Sequence, residues 1–440
     1  MLAVNETHAP DLRSWVESAN QPGGDFPIQN LPFGVFTRAL TPEPPRIGVA
    51  IGDRILDLRL CHRAGLFDGD LAAVGEACLS PSLNRLMALG PASWSALRRR
   101  ISELLREDRR RALQKKVEPC LASMAEAVMR LPADIGDYSD FYASSFHATN
   151  VGSMMRPDSP LLPNYKYVPI GYHGRASSVV VSGTPVRRPA GQAKPESAME
   201  PVFGPSRRLD YELEVGFYIG PGNALGTPIP IAEVEAHIFG VSLVNDWSAR
   251  DLQAWEYQPL GPFLAKSFST TVSPWVVTLE ALEPYRVPAL IRPEGDPDPL
   301  PYLIDGRQHD RGGLDLRLEV SLASDQMRAA RMTPFVVARS SLRHLYWTPG
   351  QLVTHHASNG CNLRPGDLVA SGTVSGPTRE SRGCLLELTW RGEQPITLPT
   401  GETRRFLEDG DEVIFRGWCE REGWARIGTG ECRGLVTSST

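Results

Sequence analysis

The chain has 440 residues, 41% of them hydrophobic and 22% charged, which excludes a disordered or fibrous protein and predicts two domains. Its formal net charge of -5, with a pI near 6.0, gives no overall attraction to nucleic acid. The seven cysteines include no Cys-x-x-Cys pair, and neither a signal peptide nor a membrane-spanning run is visible, so we expect a cytoplasmic protein with reduced thiols that does not enter a membrane.

The first predicted elements are short strands, followed by helices. FGVF and RIGVAIGDRILDL predict strands between about Leu31 and Leu58, with Gly52-Asp53 as the turn of a hairpin. From about residue 71 to residue 130 the apolar residues recur at helical spacing. Beyond that point strand-like runs, Pro/Gly turns and aromatic residues dominate. We therefore predict a small first domain over residues 1–133 and a larger, mostly β domain over residues 134–440, an α+β chain overall.

The stretch GDYSDFYASSFHATN, from Gly136 to Asn150, combines aromatic residues with two aspartates and a histidine. Core segments are seldom this polar, and surface loops are seldom this aromatic. The pattern therefore indicates a functional segment. From the residues alone it stays open what His147 does and whether Asp137 or Asp140 works with it.

The stretch RRLDYELEVGFYIG is the clearest predicted strand, because apolar and polar residues alternate along it. Side chains two positions apart point the same way, so Glu212 and Glu214 share a face, roughly 7 Å apart. One interpretation is a sheet with one face in water. The other is a cation held between two carboxylates that would otherwise repel each other.

The stretch VNDWSARDLQAWEY predicts a strand that ends at Asp246, followed by a helix. Ser248 and Asp251 are expected to cap the start of that helix. Its polar face carries Arg250, Gln253 and Tyr257. An aspartate at a strand end beside such a face is typical of a polar binding site, although each residue taken alone is more typical of a helix cap, a surface charge or a space-filling position.

Several common catalytic motifs are missing from the sequence. It has no Walker loop, no G-x-S-x-G elbow and no H-E-x-x-H, and GPGNALGTP lacks the dinucleotide-binding spacing. The adjacent His355-His356 pair is expected to be structural or to end a helix. An all-oxygen cluster suited to a hard divalent cation remains possible, formed by Asp140, Glu212, Glu214 and Asp246.

Several long blocks together resemble the fumarylacetoacetase family within the fumarylacetoacetate hydrolase superfamily. They occur in the family's order and cover nearly the whole chain, including LPFGVF and RIGVAIGDRILDL in the first domain. The blocks are DYSDFYASSFHATNVGSMMR, GYHGRASSVVVSGTPVRRP, DYELEVGFYIGPGN, VNDWSARDLQAWEYQPLGPFLAKSF, THHASNGCNLRPGDLVASGTVSG and FLEDGDEV.

The resemblance implies a small SH3-like N-terminal β-barrel domain, a large mixed β-roll domain and a homodimer. It also implies an enzyme that hydrolyses a carbon–carbon bond of the small diketo acid 4-fumarylacetoacetate to fumarate and acetoacetate, the last step of tyrosine and phenylalanine degradation. The alternatives are a related metal-dependent acylpyruvate hydrolase, or an oxo-acid isomerase or decarboxylase of the same superfamily. A non-catalytic metal-binding protein would be expected to lack some of the site residues.

The resemblance also assigns roles by motif position. His147 would activate water, oriented by Glu387 in GCLLELTW, and Arg250, Gln253 and Lys266 would stabilise the oxyanion. Calcium, or magnesium in its place, would bind Asp140, Glu212, Glu214 and Asp246, and a second magnesium would be associated with Asp246, Lys266 and Thr270. Substrate contacts would come from Tyr142, Arg156, Tyr172, Gln253, Tyr257 and Thr373.

Overall fold

The computed structural model of the chain describes residues 3–38, 43–195 and 198–439. The first segment comprises the described residues up to 133, and the second segment those from 134 onward. The strands of the first segment are β1 (Phe33–Arg38), β2 (Arg46–Ile51), β3 (Arg54–Asp57), β4 (Leu121–Ser123) and β5 (Ala127–Arg130). The helices of this segment are α1 (Leu58–Arg63), α2 (Ala72–Ala77), α3 (Asn84–Met87), α4 (Pro91–Leu105) and α5 (Arg111–Val117).

The second segment is richer in strands. They are β6 (Tyr138–Phe141), β7 (Gly171–His173), β8 (Val179–Val181), β9 (Val186–Arg187), β10 (Ala190–Ala193), β11 (Val202–Pro205), β12 (Leu209–Asp210), β13 (Leu213–Ile219), β14 (Ile238–Asp246), β15 (Ser248–Ala249), β16 (Thr270–Val272), β17 (Trp275–Thr278), β18 (Arg286–Val287), β19 (Gly313–Leu314), β20 (Arg317–Ala323), β21 (Phe335–Ser341), β22 (Leu368–Ala370), β23 (Ile396–Thr397), β24 (Thr403–Arg404), β25 (Glu412–Cys419) and β26 (Ile427–Thr437). The helices are α6 (Ser145–Met155), α7 (Arg250–Glu256), α8 (Gly306–Arg311), α9 (Asp325–Ala329), α10 (Pro349–Ala357) and α11 (Leu385–Leu388).

A large mixed sheet organises the molecule. Across the described residues its main path runs β4-β3-β2-β1-β17-β14-β13-β22-β6-β7, with β5 added at β1, β16 added at β14 and β8 added at β16. A second sheet, in the order β21-β20-β25-β26-β9, contacts β14, β16 and β17 through β25 and β26. The fold is therefore mixed α/β, with two sheets in contact.

The alternation along β13 explains why both faces of the large sheet are buried. Leu213, Val215 and Phe217 point into the main core between the two sheets. Tyr218 points the other way, into a second core formed with the first segment. A wet face is therefore absent along this strand, which corrects the first interpretation of the predicted strand. The strand also begins later than predicted, because Tyr211 and Glu212 interrupt it.

The hairpin predicted at Gly52-Asp53 is confirmed, since Ile51 pairs with Arg54 and Gly52 has a positive φ of 56°. The predicted helical region holds α2 to α5 but ends earlier than expected, because β4 (Leu121–Ser123) and β5 (Ala127–Arg130), joined by a short 3-10 helix at Met124–Glu126, occupy its last ten residues. Among the described residues, no helix combines the length and apolar character needed to cross a membrane.

The SH3-like barrel expected for the first segment is not confirmed. Its strand β1 pairs with β2 and β5, but also with β17 of the second segment, where Phe33 lies opposite Val276. Gly34 lies opposite Trp275, whose ring occupies the space that a side chain at position 34 would need. Within residues 3–38 and 43–133 the strands form no closed barrel and instead extend the large sheet.

Candidate active site

Four carboxylates meet at one end of the large sheet. Asp140 lies on β6, Glu214 on β13, Asp246 at the end of β14, and Glu212 between β12 and β13. Their ligand oxygens all lie within 4.8 Å of one another, and every one of the four side chains is buried. The strand pairing explains the convergence, because β13 pairs with β14 on one side and reaches β6 through β22 on the other.

These carboxylates lack enough positive charge from the protein. Glu214 is fully buried, and neither of its oxygens meets an N–H or hydroxyl donor within the described chain. Burial, together with the neighbouring negative charges, raises the pKa of Asp140 and of Glu214 well above their ordinary values. An unpartnered buried carboxylate is costly, and a divalent cation would relieve that cost. The donor set therefore fits calcium or magnesium.

Lys266 and Arg250 partly offset the negative charge. The Lys266 ammonium donates to Glu212 Oε2 at 2.5 Å and to Asp246 Oδ2 at 2.7 Å, and Arg250 lies 2.8 Å from Glu212 Oε1. Burial opposes ionisation of Glu212, but the two cations outweigh it and lower its pKa. The same contacts keep Lys266 charged, since its carboxylate neighbours raise its pKa despite burial. Glu212 is therefore the carboxylate of the four that the protein itself neutralises.

His147 forms a buried pair with Glu387. The Nδ1 atom of His147, in the first turn of α6, lies 2.6 Å from Glu387 Oε2 on α11. Asn150 donates to Glu387 Oε1 at 2.8 Å and Ser375 to Oε2 at 2.7 Å. Burial works against the charged carboxylate, yet the interactions with His147 and these donors lower the pKa of Glu387 to about 2. Glu387 is thus an ionised acceptor that holds Nδ1–H and leaves Nε2 free.

Tyr142, Tyr172 and Thr270 surround the carboxylates and the His147–Glu387 pair. The Tyr142 ring meets His147 edge-on with centroids 5.2 Å apart. Tyr172 donates to Asp246 Oδ2 at 2.8 Å, and Thr270 donates to Asp246 Oδ1 at 3.2 Å. A cavity of about 170 Å³ opens beside Asp246, lined also by Lys266, Tyr172 and Thr270. A small molecule in this region would therefore contact both the carboxylates and aromatic rings.

Besides the Glu214 oxygens, the buried polar groups without protein partners among the described residues include the Nη2 group of Arg250 and the Oγ1 hydroxyl of Thr373. Buried donors without partners are rare, and at a polar site they indicate the position of a ligand. Gln253 accepts from Arg250 NH1 at 3.0 Å and so fixes the guanidinium from its other side.

Not every expected substrate residue is joined to this cluster. Arg156 caps the far end of α6, nine residues after His147 and so roughly 14 Å along the helix axis. Its guanidinium donates to Pro160 O at 3.2 Å. Tyr257 is half-buried at the C-cap of α7, one turn after Gln253. In the described chain no hydrogen bond joins either side chain to the four carboxylates.

The structure separates the two aspartates that the sequence left open. Asp140 belongs to the carboxylate cluster, whereas Asp137 is exposed and pairs with Arg364. The expected cap of α7 is wrong: the N-cap is Ala249, without a side-chain hydrogen bond, and Asp251 instead accepts from Ser206 at 2.6 Å.

The adjacent histidines close α10, as expected for a helix-end feature. His355 and His356 occupy the last turn of this helix. His356 lies 2.7 Å from the Ser139 hydroxyl, and His355 lies 2.9 Å from the Tyr302 hydroxyl. Both contacts serve packing between elements, which supports a structural role for the pair.

Sequence reasoning missed three residues that surround the His147–Glu387 pair. Asn150 stands three positions after His147 on the same helix face, so helical spacing could have found it. Cys384, the N-cap of α11, contacts Glu387 at 3.2 Å from three positions earlier, so local spacing could have found it as well. Ser375 donates to Glu387 at 2.7 Å from an irregular segment, and no local pattern in the sequence indicates this contact.

Comparisons with known proteins give matches along nearly the whole chain. Residues 29–132 match the family model described as fumarylacetoacetase N-terminal, and residues 138–436 match that described as fumarylacetoacetate (FAA) hydrolase C-terminal. The fumarylacetoacetase of Homo sapiens is 52% identical over 416 residues, which cover 94% of this chain and 96% of the relative. The fumarylacetoacetase of Oryza sativa subsp. japonica is 50% identical over 433 residues, 97% of each chain.

Solved structures show the same fold at much lower identity. A fumarylacetoacetate hydrolase from the psychrophilic Exiguobacterium antarcticum matches with a TM-score of 0.50 at 15% identity, covering 93% of this chain and 99% of that chain. At this identity the likeness concerns the fold alone.

Proposed function

Because this chain belongs to the fumarylacetoacetate hydrolase family, we propose that it hydrolyses 4-fumarylacetoacetate to fumarate and acetoacetate, the last step of tyrosine and phenylalanine degradation. Its similarity to fumarylacetoacetases at about half identity over nearly the whole chain supports this activity. The observation that carries the proposal is the 2.6 Å pair of His147 and Glu387 beside a buried carboxylate cluster. Together they supply a base and a cation site for metal-assisted hydrolysis.

His147 acts as the general base. Glu387 accepts the Nδ1–H hydrogen bond, so Nε2 carries the lone pair that takes a proton from water. The water oxygen adds to the fumaryl carbonyl carbon, and the electron pair of that carbonyl moves onto its oxygen. When the pair returns, the carbon–carbon bond breaks and its electrons form the enolate of acetoacetate. The proton held by His147 then completes the methyl group of acetoacetate.

Arg250 and Lys266 stabilise the negative charge that develops on the substrate. Arg250 offers an NH2 group without a protein partner, and Lys266 is held charged by Glu212 and Asp246. Preorganised donors in a site without bulk water stabilise an oxyanion strongly. Gln253 helps to fix the Arg250 guanidinium. No covalent intermediate on the protein is needed, which is consistent with the absence of a nucleophilic serine elbow.

The substrate residues are proposed in two groups. Tyr142 contacts His147, Tyr172 donates to Asp246, and Thr373 follows Gly372, whose N–H donates to Asp140; these three would contact the diketone part of the substrate. Arg156 at the end of α6 and Tyr257 at the end of α7 would meet a terminal carboxylate, for which guanidinium and phenol groups are suitable donors.

Calcium or magnesium is the proposed cofactor. Asp140, Glu212, Glu214 and Asp246 would hold it, and when bound it would act as a Lewis acid on the diketone oxygens. Four carboxylates in tolerant geometry favour calcium, whereas magnesium prefers fewer protein ligands and more water. A second magnesium at Asp246, Lys266 and Thr270 remains part of the proposal, although the Lys266 ammonium already contacts Asp246.

The remaining proposals concern the whole chain: a division at residues 133 and 134, a homodimer and a cytoplasmic location. Free cysteines throughout support a reducing compartment. Large apolar side chains exposed beside α7, among them Leu260 and Phe263, support a surface for a second copy. Sedimentation measurements would test the dimer directly.

One assay tests the activity. Purified protein is mixed with 4-fumarylacetoacetate and, separately, with simpler 2,4-diketo acids, and loss of diketone absorbance is followed with and without a chelator. We expect fumarylacetoacetate to react fastest and chelation to stop the reaction. Preference for an acylpyruvate, or a product that retains the carbon–carbon bond, would identify a hydrolase of simpler diketo acids or an isomerase of the same fold instead.

A further inference from the structure

Asp210 occupies a central position between the two halves of the proposed catalytic machinery. It is fully buried at the end of β12. Its Oδ1 atom accepts from the backbone N–H groups of Tyr211 and Leu385, both at 2.8 Å. Its Oδ2 atom accepts from Leu386 N and from Arg250 Nε, both at 2.9 Å. All four contacts are donors, so the position requires a group that only accepts.

The Leu385 and Leu386 amides belong to the first turn of α11, the four-residue helix that carries Glu387. Their N–H groups cannot be satisfied inside the helix. A helix this short has little stability of its own, so its position depends on such external contacts. Asp210 therefore fixes the position of the α11 backbone from which the Glu387 side chain extends to His147.

The fourth donor, Arg250, belongs to the other half of the proposed catalytic machinery, the groups that stabilise the oxyanion. Asp210 holds Nε of Arg250, Glu212 and Gln253 contact its Nη1, and its Nη2 is left without a protein partner among the described residues. These three contacts fix the direction in which Nη2 points. The Asp210 carboxylate thus connects the helix that carries Glu387, the partner of His147, to Arg250, the proposed oxyanion donor.

We propose that Asp210 is a positioning residue that sets the placement of Glu387, and through it His147, relative to Arg250. The inference rests on the proposed function and deepens it. Asp210 touches neither substrate nor cation in this arrangement, since both of its oxygens are engaged and it lies outside the carboxylate cluster. Its contribution is expected in turnover rather than in binding.

The test compares Asp210→Asn with a matched control. Asparagine keeps the size but turns one acceptor into a donor that faces the N–H groups. We expect kcat to fall by about 10²-fold, as a displacement of about 1 Å can cause, while KM and the dissociation constant for calcium change less than about threefold. The control is Asp411→Asn: Asp411 is also buried and accepts from Arg404 Nε and NH2 and from Glu408 N, at 2.8 to 2.9 Å. Asp411→Asn should lose about as much folding stability as Asp210→Asn but keep the wild-type kcat.

A double-mutant cycle separates positioning from general destabilisation. Because Asp210 acts through Glu387, adding Asp210→Asn to Glu387→Gln should lower kcat much less than it lowers the wild-type value. Fully additive losses in log kcat, or an unchanged kcat in Asp210→Asn, would overturn the inference. So would a loss confined to KM or to calcium binding.

A second variant covers the case in which Asp210→Asn does not fold. Asp210→Glu keeps the charge but moves the carboxylate by one bond, about 1.5 Å. We expect a folded, calcium-binding protein with a reduced kcat, and a wild-type kcat in this variant would overturn the inference. Wild-type protein that is inactive on fumarylacetoacetate would instead refute the proposed function, so the two failures are distinguishable.

Discussion

At the scale of residues, His147 and Glu387 are 240 positions apart in the chain, yet their side chains meet at 2.6 Å. The contact is fully enclosed, with Asn150 and Ser375 completing the hydrogen bonds of the carboxylate. In the proposed mechanism this pair would work as one unit: the carboxylate would fix the tautomer, and the imidazole would move the proton.

We predict that His147→Ala lowers kcat by about 10²- to 10⁴-fold, the usual contribution of a general base. Calcium affinity should change little, because the cation site does not include the imidazole. Glu387→Gln should lower kcat less, and the double variant should be little worse than His147→Ala alone. The measurement is kcat for the four proteins with metal content checked. Additive losses in log kcat would assign Glu387 a separate role.

Asp140 lies on β6 and Asp137 directly precedes this strand, so the two aspartates offer a matched comparison. Asp140→Asn removes a charge from the carboxylate cluster and should weaken calcium binding at least tenfold by calorimetry. Asp137→Asn removes an exposed ion pair with Arg364 and should leave calcium binding unchanged and stability within about 1 kcal/mol. Equal losses of affinity would show that the cluster is not the cation site.

The lowered pKa of Glu387 predicts how stability depends on pH. A carboxyl whose pKa falls to about 2 on folding stabilises the protein above its unfolded value of about 4.5, and this contribution is lost as pH falls from about 4.5 toward 2. Wild type should therefore exceed Glu387→Gln in stability most at pH 6, with a smaller difference at pH 3.5. Urea unfolding at both pH values measures this. A difference that grows toward acid pH would contradict the assignment.

At the scale of elements, local sequence patterns predicted the features that depend only on residues near one another in the chain. Period-two alternation placed Glu212 and Glu214 on one face, and the strand before Asp246 was found from its apolar run. The arrival of Asp140 beside them depends on parallel pairing of β6 with β22, between residues more than 200 positions apart. Such long-range pairing leaves no local signal in one sequence. Periodicity predicted only the Glu212–Glu214 pair; ligand chemistry grouped the four carboxylates, and the resemblance assigned them as cation ligands.

The helix α6, which presents His147, contains a glycine under tight packing. An alanine usually stabilises a helix relative to glycine by up to about 1 kcal/mol. At Gly152, however, a Cβ atom would lie 1.9 Å from the carbonyl oxygen of Pro160. We predict that Gly152→Ala destabilises the protein by about 1–3 kcal/mol, the cost of overpacking.

The matched control for this substitution is Gly306→Ala at the start of α8. Nothing lies within 4 Å of the Cβ position there, so the change should be neutral or slightly stabilising. Urea unfolding of both variants measures the contrast. A stabilised Gly152→Ala would show that α6 can move away from Pro160 at little cost.

At the scale of the whole molecule, the buried carboxylates link cation binding to stability. A cation that binds only the folded state, at about a hundred times its dissociation constant, stabilises by about 2.7 kcal/mol. For a chain of 440 residues this corresponds to a rise of about 3 °C in Tm. We predict that exhaustive chelation lowers Tm by at least this amount and abolishes hydrolysis, and that calcium restores both. Full activity in protein shown metal-free by elemental analysis would contradict the cation site.

The pairing of β1 with β17 has a consequence for how the molecule unfolds. Tyr218, Phe239 and Val244, from the strands that lead to the carboxylates, share a hydrophobic core with residues of the first segment. Detaching that segment would open a sheet edge at β17 and expose an apolar face, both of which promote aggregation. We therefore expect the two halves recognised in the sequence to unfold together, so that a substitution in the core of the first segment weakens the carboxylate end of the sheet through lost packing rather than through any contact with substrate.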